Sequence, residues 1–300
     1  MSDIHTVYWE ISGNPHGMPI FVVHGGPGFG SYPVNRRYFD PQVYQIIQMD
    51  QRGCGKSQPH AELEENNTSA LVEDMETLRK FLRIDSWYIF GGSWGSTLGL
   101  VYAIHHPHRV KALILRGIFL CTTSEISWFN QVGAPQIFPE NYQRFKNFIP
   151  ENERADLLKA YYSRLTSDDL QVRRDACQEW CLWEMSCIAL LPNPDYVEKA
   201  FDLDIAASVA RFESHYFVNL MFLEEDFILK HAGTALKNVP MDIVHGRYDV
   251  ICPMDSAWKL HQSVPHSQLH VIADAGHSSA EVGIAEKLIE ITNRYRISST

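Results

Sequence analysis

The sequence predicts an α/β fold with a mostly parallel central sheet and helices on both faces. Short β-branched or aromatic runs recur along the chain, at residues 20–23, 44–49, 87–90, 110–115, 241–244 and 269–272. Most of these runs are followed by a glycine-rich turn and then by a helical pattern. Strands that are apolar on both faces are typical of a parallel sheet. The alternation of strand and helix places functional turns at the carboxyl ends of the strands.

Helices are predicted between and after these strands. The first is capped by Asn67 or Thr68. The second extends from Thr97 to His105, because Pro107 cannot continue it. The last extends from Ala280 to Tyr295. The first and last helices carry apolar stripes at helical spacing, which comprise Leu71, Met75, Leu78 and Leu82 in the first and Ile284, Leu288, Ile291 and Tyr295 in the last.

Between the fourth and the fifth of these apolar runs, the strand pattern disappears. Residues 120–235 are helical in pattern and rich in aromatic side chains. We interpret this segment as a helical cap domain inserted into a catalytic domain made of residues 1–119 and 236–300. Such a cap lies over the strand ends and supplies one wall of a pocket at the domain interface.

Composition and charge exclude several classes of partner. The chain has 300 residues, 45% of them hydrophobic and 21% charged, which is typical of a globular protein with one large core. With 26 Lys and Arg against 36 Asp and Glu, the net charge is −10. A field of this sign repels phosphate and anionic lipid, so we expect no nucleic acid and no membrane partner.

The same features suggest a cellular location. No apolar run has the length of a membrane span, and the first residues show no signal peptide. Six cysteines in 300 residues are too few for a disulfide framework. We therefore expect a cytoplasmic protein with reduced cysteines. The oligomeric state is left open.

A candidate nucleophile lies in Gly91-Gly92-Ser93-Trp94-Gly95, which fits the pattern G-x-S-x-G between an apolar strand and a helix. In this motif the serine occupies a strained strand-to-helix turn that exposes its hydroxyl at the end of the sheet. The motif by itself is compatible with a glycine and serine turn that has no function. Its interpretation therefore depends on partner residues.

Two partner residues follow in the order expected of an α/β-hydrolase fold. Asp249 and His277 each come just after a predicted strand. We predict that His277 accepts the proton of Ser93 and that Asp249 orients the imidazole. A single turn aspartate is usually a solvated or capping residue, and the chain has 14 histidines. Three such residues in the required order, each at the end of its own strand, are harder to obtain by accident.

The developing oxyanion of an acyl transfer needs hydrogen-bond donors. The backbone N–H of Trp94, which follows the nucleophile, is one predicted donor. The second is expected from the loop His24-Gly25-Gly26-Pro27-Gly28, where Gly26 is our choice. The alternative is a tight glycine turn without function.

No metal and no organic cofactor is predicted. Cys177, Cys181 and Cys187 have no neighbouring histidine in the sequence and are interpreted as core thiols rather than a zinc site. The segment ending in Gly55-Lys56-Ser57 resembles a phosphate-binding loop, but Asp50 stands where that loop requires its first glycine.

Five motifs together make the chain resemble the proline iminopeptidases, over residues 11–295. They are His24-Gly25-Gly26-Pro27-Gly28, Asp50 to Ser57, Gly91 to Ser96, Arg116-Gly117-Ile118-Phe119, and His245-Gly246-Arg247-Tyr248-Asp249. The resemblance implies a serine exopeptidase of the α/β-hydrolase fold that releases N-terminal proline from small peptides through an acyl-enzyme.

The resemblance also implies substrate-binding residues. Glu184 and Glu213 match the family's cap glutamates, which hold the free amino group of proline. This agrees with the need of a desolvated ammonium for anionic acceptors. A solvated helix face is the alternative for each glutamate. The pyrrolidine ring is expected among residues for which core packing is the alternative, namely Phe119, Phe129, Phe217 and Cys252.

The chain departs from the family at three points. At Thr68-Ser69-Ala70-Leu71 the family more often has a tryptophan, and the expected consequence concerns packing only. The family often has tyrosine at the position of Phe129. Family members also usually have more residues before the strand expected here at 6–11, so the first edge strand is expected to be missing.

Competing functions remain open at this point. An esterase, lactonase or amidase could use the same framework with structural glutamates. A catalytically silent binding protein is a further alternative. A dehalogenase or epoxide hydrolase is disfavoured, because its nucleophile would be aspartate at position 93.

Overall fold

The computed structural model describes residues 2–297, and these residues contain a sheet of seven strands. The strand bounds are β1 Trp9–Gly13, β2 Met18–Val23, β3 Tyr44–Met49, β4 Trp87–Ser93, β5 Val110–Ile118, β6 Met241–Gly246 and β7 Gln268–Ile272. The strand order is β1-β3-β2-β4-β5-β6-β7. Strand β1 is antiparallel to β3, and all the other neighbouring pairs among these strands are parallel. The α/β fold with a mostly parallel sheet is confirmed.

The helices lie between and after these strands. Their bounds are α1 Thr68–Phe81, α2 Trp94–His105, α3 Thr123–Ser127, α4 Ala134–Ile137, α5 Pro139–Phe148, α6 Leu157–Leu165, α7 Leu170–Cys187, α8 Pro194–Lys199, α9 Leu203–Val218, α10 Phe227–Ala235, α11 Met254–Ser263 and α12 Val282–Ile297. A π-helical segment, Trp128–Val132, follows α3.

The two faces of the sheet form separate cores because side chains alternate along each strand. In β2, Phe21 packs in the larger core with helices α1 and α2, whereas Ile20 packs in the smaller core. The residues of α12 that form the smaller core are Ile284, Leu288 and Ile291. All three side chains are fully buried, and each such burial contributes about 1.5–3 kcal/mol.

The predicted start of α1 agrees with the structure, whereas α2 and α12 differ from the prediction by two or three residues, and α12 ends at Ile297 rather than Tyr295. The side chain of Asn67 accepts a hydrogen bond from the backbone N–H of Ala70 and caps α1. Helix α2 begins at Trp94 rather than Thr97, because the turn at Ser93 leads directly into it. Helix α12 begins at Val282 rather than Ala280, whose backbone N–H donates to the Ser278 hydroxyl at 3.2 Å.

Strand β1 is displaced from its predicted position at 6–11. It pairs Trp9 with Met49 and ends at Gly13, which has a φ of +79°. Strand β3 ends at Met49, and before Trp9 the pairing continues only through single hydrogen bonds, such as the one from the Asp50 N–H to the Tyr8 carbonyl at 3.0 Å. Thr6 forms only an isolated bridge with Gln58.

Residues 119–240 contain helices and no strand. Helices α5, α6, α7 and α9 pack on one another around stacked aromatic rings, such as Phe145 and Tyr161 with centroids 4.3 Å apart. Helix α9 also rests on the loop after β2. The hydroxyl of Ser208 donates to the carbonyl of Gly28 at 2.8 Å, and a Cβ on Gly28 would lie 2.6 Å from the Cα of Val209. These contacts hold α9 above the carboxyl end of β2.

Two further findings concern the whole described chain. None of the helices within residues 2–297 combines the length and the apolar character that crossing a membrane requires. The six cysteines all lie in this range, and each is a buried free thiol.

Candidate active site

Ser93 lies at the turn between β4 and α2 in a strained backbone conformation. Its φ is 57° and its ψ is −130°, which is unfavourable for a residue with a side chain. The turn leaves no space for side chains two residues on either side. A Cβ on Gly91 would lie 2.2 Å from the carbonyl oxygen of Gly95, and a Cβ on Gly95 would lie 2.3 Å from that of Val23. The G-x-S-x-G motif therefore meets a steric requirement in this structure.

Asp249 and His277 are in direct contact at the carboxyl ends of β6 and β7. The Nδ1 of His277 donates to Oδ2 of Asp249 at 2.8 Å, and the other carboxylate oxygen accepts the backbone N–H of Cys252 at 2.8 Å. Both side chains are buried. Burial raises the pKa of Asp249. The charge and the hydrogen bond of His277 lower this pKa, and so do the charge of His245 and the hydrogen bond from the Cys252 N–H. The net result is a pKa below the ordinary value. The carboxylate is therefore ionised at neutral pH.

The structure brings the three residues predicted as a triad to one end of the sheet. Ser93 and His277 line the same cavity of about 210 Å³. The hydroxyl of Ser93 also contacts the thiol of Cys252. A larger cavity of about 910 Å³, between α3, α10 and α11, includes neither Ser93 nor His277 in its lining. The smaller cavity is therefore the candidate active site.

The loop that contains Gly26 is fixed to the start of α2 through Gln51. The backbone N–H of Gln51 donates to Nε2 of His24 at 2.9 Å, and its side-chain amide donates to the His24 carbonyl at 3.0 Å. The indole N–H of Trp94 donates to Oε1 of the same glutamine at 2.8 Å. Burial lowers the pKa of His24, so its imidazole is neutral and accepts at Nε2. Gln51 thus connects the two segments that contain the predicted oxyanion donors.

A second pocket brings together every residue predicted to bind the substrate. Besides Ser93 and Gly26 it is lined by Phe119, Phe129, Glu184, Glu213, Phe217 and Cys252. Helix α7 provides Glu184 and α9 provides Glu213, and these helices pack against each other. The rings of Phe119 and Phe217 meet edge to face at 6.1 Å. Neither glutamate lies on a solvated helix face, since they are 5% and 3% exposed.

The two glutamates form a coupled pair of buried carboxyl groups. Burial raises the pKa of Glu184 to about 7, and burial together with the charge of Glu184 raises that of Glu213 well above its ordinary value. The two groups hydrogen-bond each other, and Oε2 of Glu213 also accepts the indole N–H of Trp180 at 2.6 Å. Oε2 of Glu184 is buried without a hydrogen-bond partner in the described structure. The hydrogen bond between the two groups favours the proton on Glu213 and the negative charge on Glu184.

Sequence reasoning missed Gln51, Gly117 and His245. The imidazole of His245 is neutral because burial lowers its pKa. Its Nδ1 accepts the N–H of Ile118 at 3.2 Å, and its Nε2 donates to the carbonyl of Cys252 at 2.8 Å, so it ties β5 to the loop that carries Asp249. All three residues lie at or just after the carboxyl ends of strands, and this position was the available signal.

No cluster of three or more histidine, cysteine, aspartate or glutamate side chains suited to a metal ion is present within residues 2–297. The side chains that the structure assembles around Ser93 are groups for proton transfer, hydrogen bonding and apolar contact.

The comparisons with known proteins agree with this geometry. A family described as alpha/beta hydrolase fold matches residues 18–283. The proline iminopeptidase of Arabidopsis thaliana is 50% identical to the chain, and the match covers 96% of this chain and 76% of the relative. The proline iminopeptidase of Xanthomonas citri is 46% identical, with 98% and 94% covered.

Solved structures with low sequence identity share the fold. An esterase from Exiguobacterium antarcticum superposes with a TM-score of 0.68 at 20% identity, covering 98% of this chain and 96% of that one. A thermophilic esterase from Thermogutta terrifontis gives a TM-score of 0.66 at 18% identity, with 97% and 92% covered. At these identities the likeness concerns the fold alone.

We predict that Gly117→Ala slows the reaction of Ser93. Gly117 has a φ of +54°, and a Cβ there would lie 3.0 Å from Cε1 and 3.2 Å from Nδ1 of His277. Displacement of the imidazole is expected to lower the rate of labelling by a fluorophosphonate probe roughly 10- to 100-fold.

The control for backbone strain is Gly13→Ala in β1, where φ is +79° and the site is distant. This variant should lose thermal stability without a change in the labelling rate of the folded protein. A Gly117→Ala protein that is labelled at the wild-type rate would contradict the assigned contact.

Proposed function

The chain belongs to the proline iminopeptidases of the α/β-hydrolase fold, and we propose that it is a serine exopeptidase that releases N-terminal proline from peptides through an acyl-enzyme. The observation that carries this proposal is the pocket beside Ser93, whose lining includes a hydrogen-bonded pair of buried carboxyl groups, Glu184 and Glu213, besides the buried Glu125. A pocket for an acyl group alone has no use for these carboxyl groups, whose burial is costly.

In the proposed reaction, Ser93 Oγ attacks the carbonyl carbon of the N-terminal proline while His277 takes the hydroxyl proton. Asp249 holds the imidazole in the required tautomer and stabilises the imidazolium that forms. The backbone N–H groups of Gly26 and Trp94 are proposed to stabilise the oxyanion. His277 then gives its proton to the leaving amine as the carbon–nitrogen bond breaks. Water, activated by His277, hydrolyses the prolyl ester and regenerates Ser93.

Specificity for a free N-terminus follows from the charge of the pocket. The secondary ammonium of proline loses its hydration on entry, and the glutamate pair offers it charged acceptors. An acylated or internal proline has no charge at this nitrogen and would leave the carboxylate without a partner. The pyrrolidine ring is proposed to pack among Phe119, Phe217 and Cys252, with Phe129 behind them. The helices of residues 120–235, which provide both glutamates, are proposed to act as the cap.

The first experiment tests the reaction itself. Prolyl-p-nitroanilide and p-nitrophenyl acetate are offered to the wild type and to Ser93→Ala. We expect the wild type to hydrolyse the prolyl substrate with much higher kcat/KM than the ester and the variant to lose both activities. Equal rates for the variant and the wild type would end the proposal, and a wild type that uses only the ester would favour the esterase alternative.

We predict that the two glutamates differ in their response to substitution. Glu184→Gln removes the ionised acceptor and should lower kcat/KM for prolyl-p-nitroanilide roughly 10- to 100-fold, as expected for a lost charged hydrogen bond. Glu213→Gln retains a neutral donor toward Glu184 and should cause a smaller loss. The readout is kcat/KM for this substrate and for p-nitrophenyl acetate, which has no amino group.

Glu179→Gln on the same helix is the matched control, since that carboxylate pairs with Arg144 outside the pocket. It should behave as the wild type. A Glu184→Gln variant that loses the same factor on both substrates would show a structural role instead of an ammonium-binding one.

We also predict that kcat/KM for the prolyl substrate depends on pH through the ionisation of Glu184 in the pocket. The pKa of Glu184 is raised to about 7, so acidification through this value neutralises the acceptor and weakens binding of a cationic substrate. For prolyl-p-nitroanilide, kcat/KM should therefore rise as pH increases through about 7. The ester measured over the same range reports only the ionisation of the catalytic imidazole. If the ratio of the two profiles were flat between pH 6 and 8, Glu184 would not be the titrating acceptor.

A further inference from the structure

The cavity that contains His277 is the place where the leaving peptide must lie. Its lining shares Ser93, Gly26 and Glu184 with the proline pocket, but it includes His277, which the proline pocket does not. In the proposed reaction His277 delivers its proton to the leaving nitrogen, so that nitrogen and the residue attached to it occupy this side. At about 210 Å³, the cavity is small, with space for a short leaving group.

A guanidinium group lines this cavity next to the nucleophile. Arg116 is on β5, in register with Gly92 of β4, and a Cβ on Gly92 would lie 2.6 Å from both Nε and Nη2 of the arginine. Its Nη1 donates to the backbone carbonyl of His277 at 2.8 Å. The side chain is half-buried and forms no ion pair with residues 2–297. It is therefore a positive charge held beside the reaction centre of a chain whose net charge is −10.

The remaining walls of this cavity, where the leaving group is expected to lie, are largely apolar. Phe29, Val34, Met185 and Ile188 contribute to it, and its only carboxyl group within the described chain is that of Glu184. Such walls suit an apolar side chain on the residue after proline. They offer no second acceptor for a cationic side chain there, because Glu184 already serves the proline nitrogen.

We propose that this cavity binds the residue after proline together with its free C-terminal carboxylate, and that Arg116 is the partner of that carboxylate. The preferred substrates are then dipeptides of proline followed by an apolar residue. This inference rests on the proposed function. Successive Cα atoms are about 3.8 Å apart, so the carboxylate of a dipeptide lies one residue beyond the scissile bond. Arg116 lines the same cavity as Ser93 and His277, and its guanidinium contacts Gly92, the residue before the nucleophile.

The planar fork of arginine fits a carboxylate with two parallel hydrogen bonds. A longer peptide or a dipeptide amide presents a neutral carbonyl at this position and leaves the guanidinium without a charged partner. The structure therefore assigns Arg116 a role in substrate length as well as in binding.

The test compares Pro-Leu with its amide, Pro-Leu-NH2, which differs only at the carboxylate. In the wild type we expect kcat/KM for Pro-Leu to exceed that for the amide roughly 10- to 100-fold. In Arg116→Gln this ratio should fall to about 1, while Arg116→Lys, which keeps the charge without the fork, should retain part of it. Arg109→Gln, at the other end of β5 and paired with exposed Asp85, should keep the wild-type ratio.

Prolyl-p-nitroanilide separates this role from a purely structural one. Because Arg116 also holds the His277 carbonyl, a structural role would lower kcat/KM for all three substrates by one factor and would leave the ratio intact. That outcome overturns the inference, as does a wild-type ratio near 1. If the wild type hydrolysed none of the three substrates, the proposed function itself would fail, which is a distinct result.

Discussion

The free-energy cost of burying two carboxyl groups in one pocket determines the electrostatic properties of the proposed recognition site. Glu184 and Glu213 are nearly without solvent, so their charged forms are penalised and one proton is shared between them. The hydrogen bond from Trp180 offsets part of this cost at Glu213. A cation that enters the pocket restores the missing counter-charge. In the proposed function, the same desolvation that destabilises the empty pocket makes it selective for a charged N-terminus.

The proposed reaction centre depends on close contacts between loops at one end of the sheet. Gly91 and Gly95 allow the turn at Ser93, and Gly117 allows the imidazole of His277 to lie against β5. Hydrogen bonds of Gln51 and His245 then fix the loops that these glycines bring together. The glycines allow the loops to approach one another closely, and the hydrogen bonds of buried polar side chains hold these loops in place. Neither would be sufficient alone, because a site for acyl transfer must be positioned before the substrate binds.

The division between sheet and inserted helices explains how one fold supports different specificities. Esterases with 20% identity or less share the fold over nearly the whole chain. The residues proposed for proton transfer lie on strand ends, whereas both glutamates lie on helices between β5 and β6. A change of those helices can alter what is bound without moving the hydroxyl, the imidazole or the carboxylate.

The sequence by itself determined the βα alternation and the position of Ser93, because local sterics and hydrophobic periodicity depend on neighbouring residues. It also indicated Asp249 and His277, whose order and strand-end positions follow from the topology. The roles of the two glutamates were predicted from the family resemblance alone. A carboxyl group on a helix is expected to be solvated unless the helix that packs against it is known. Their shared proton, the displaced start of β1, and the places of Gln51, Gly117 and Arg116 were decided only by tertiary structure. Each depends on contacts between segments far apart in the chain, and such contacts leave no periodic pattern in the sequence.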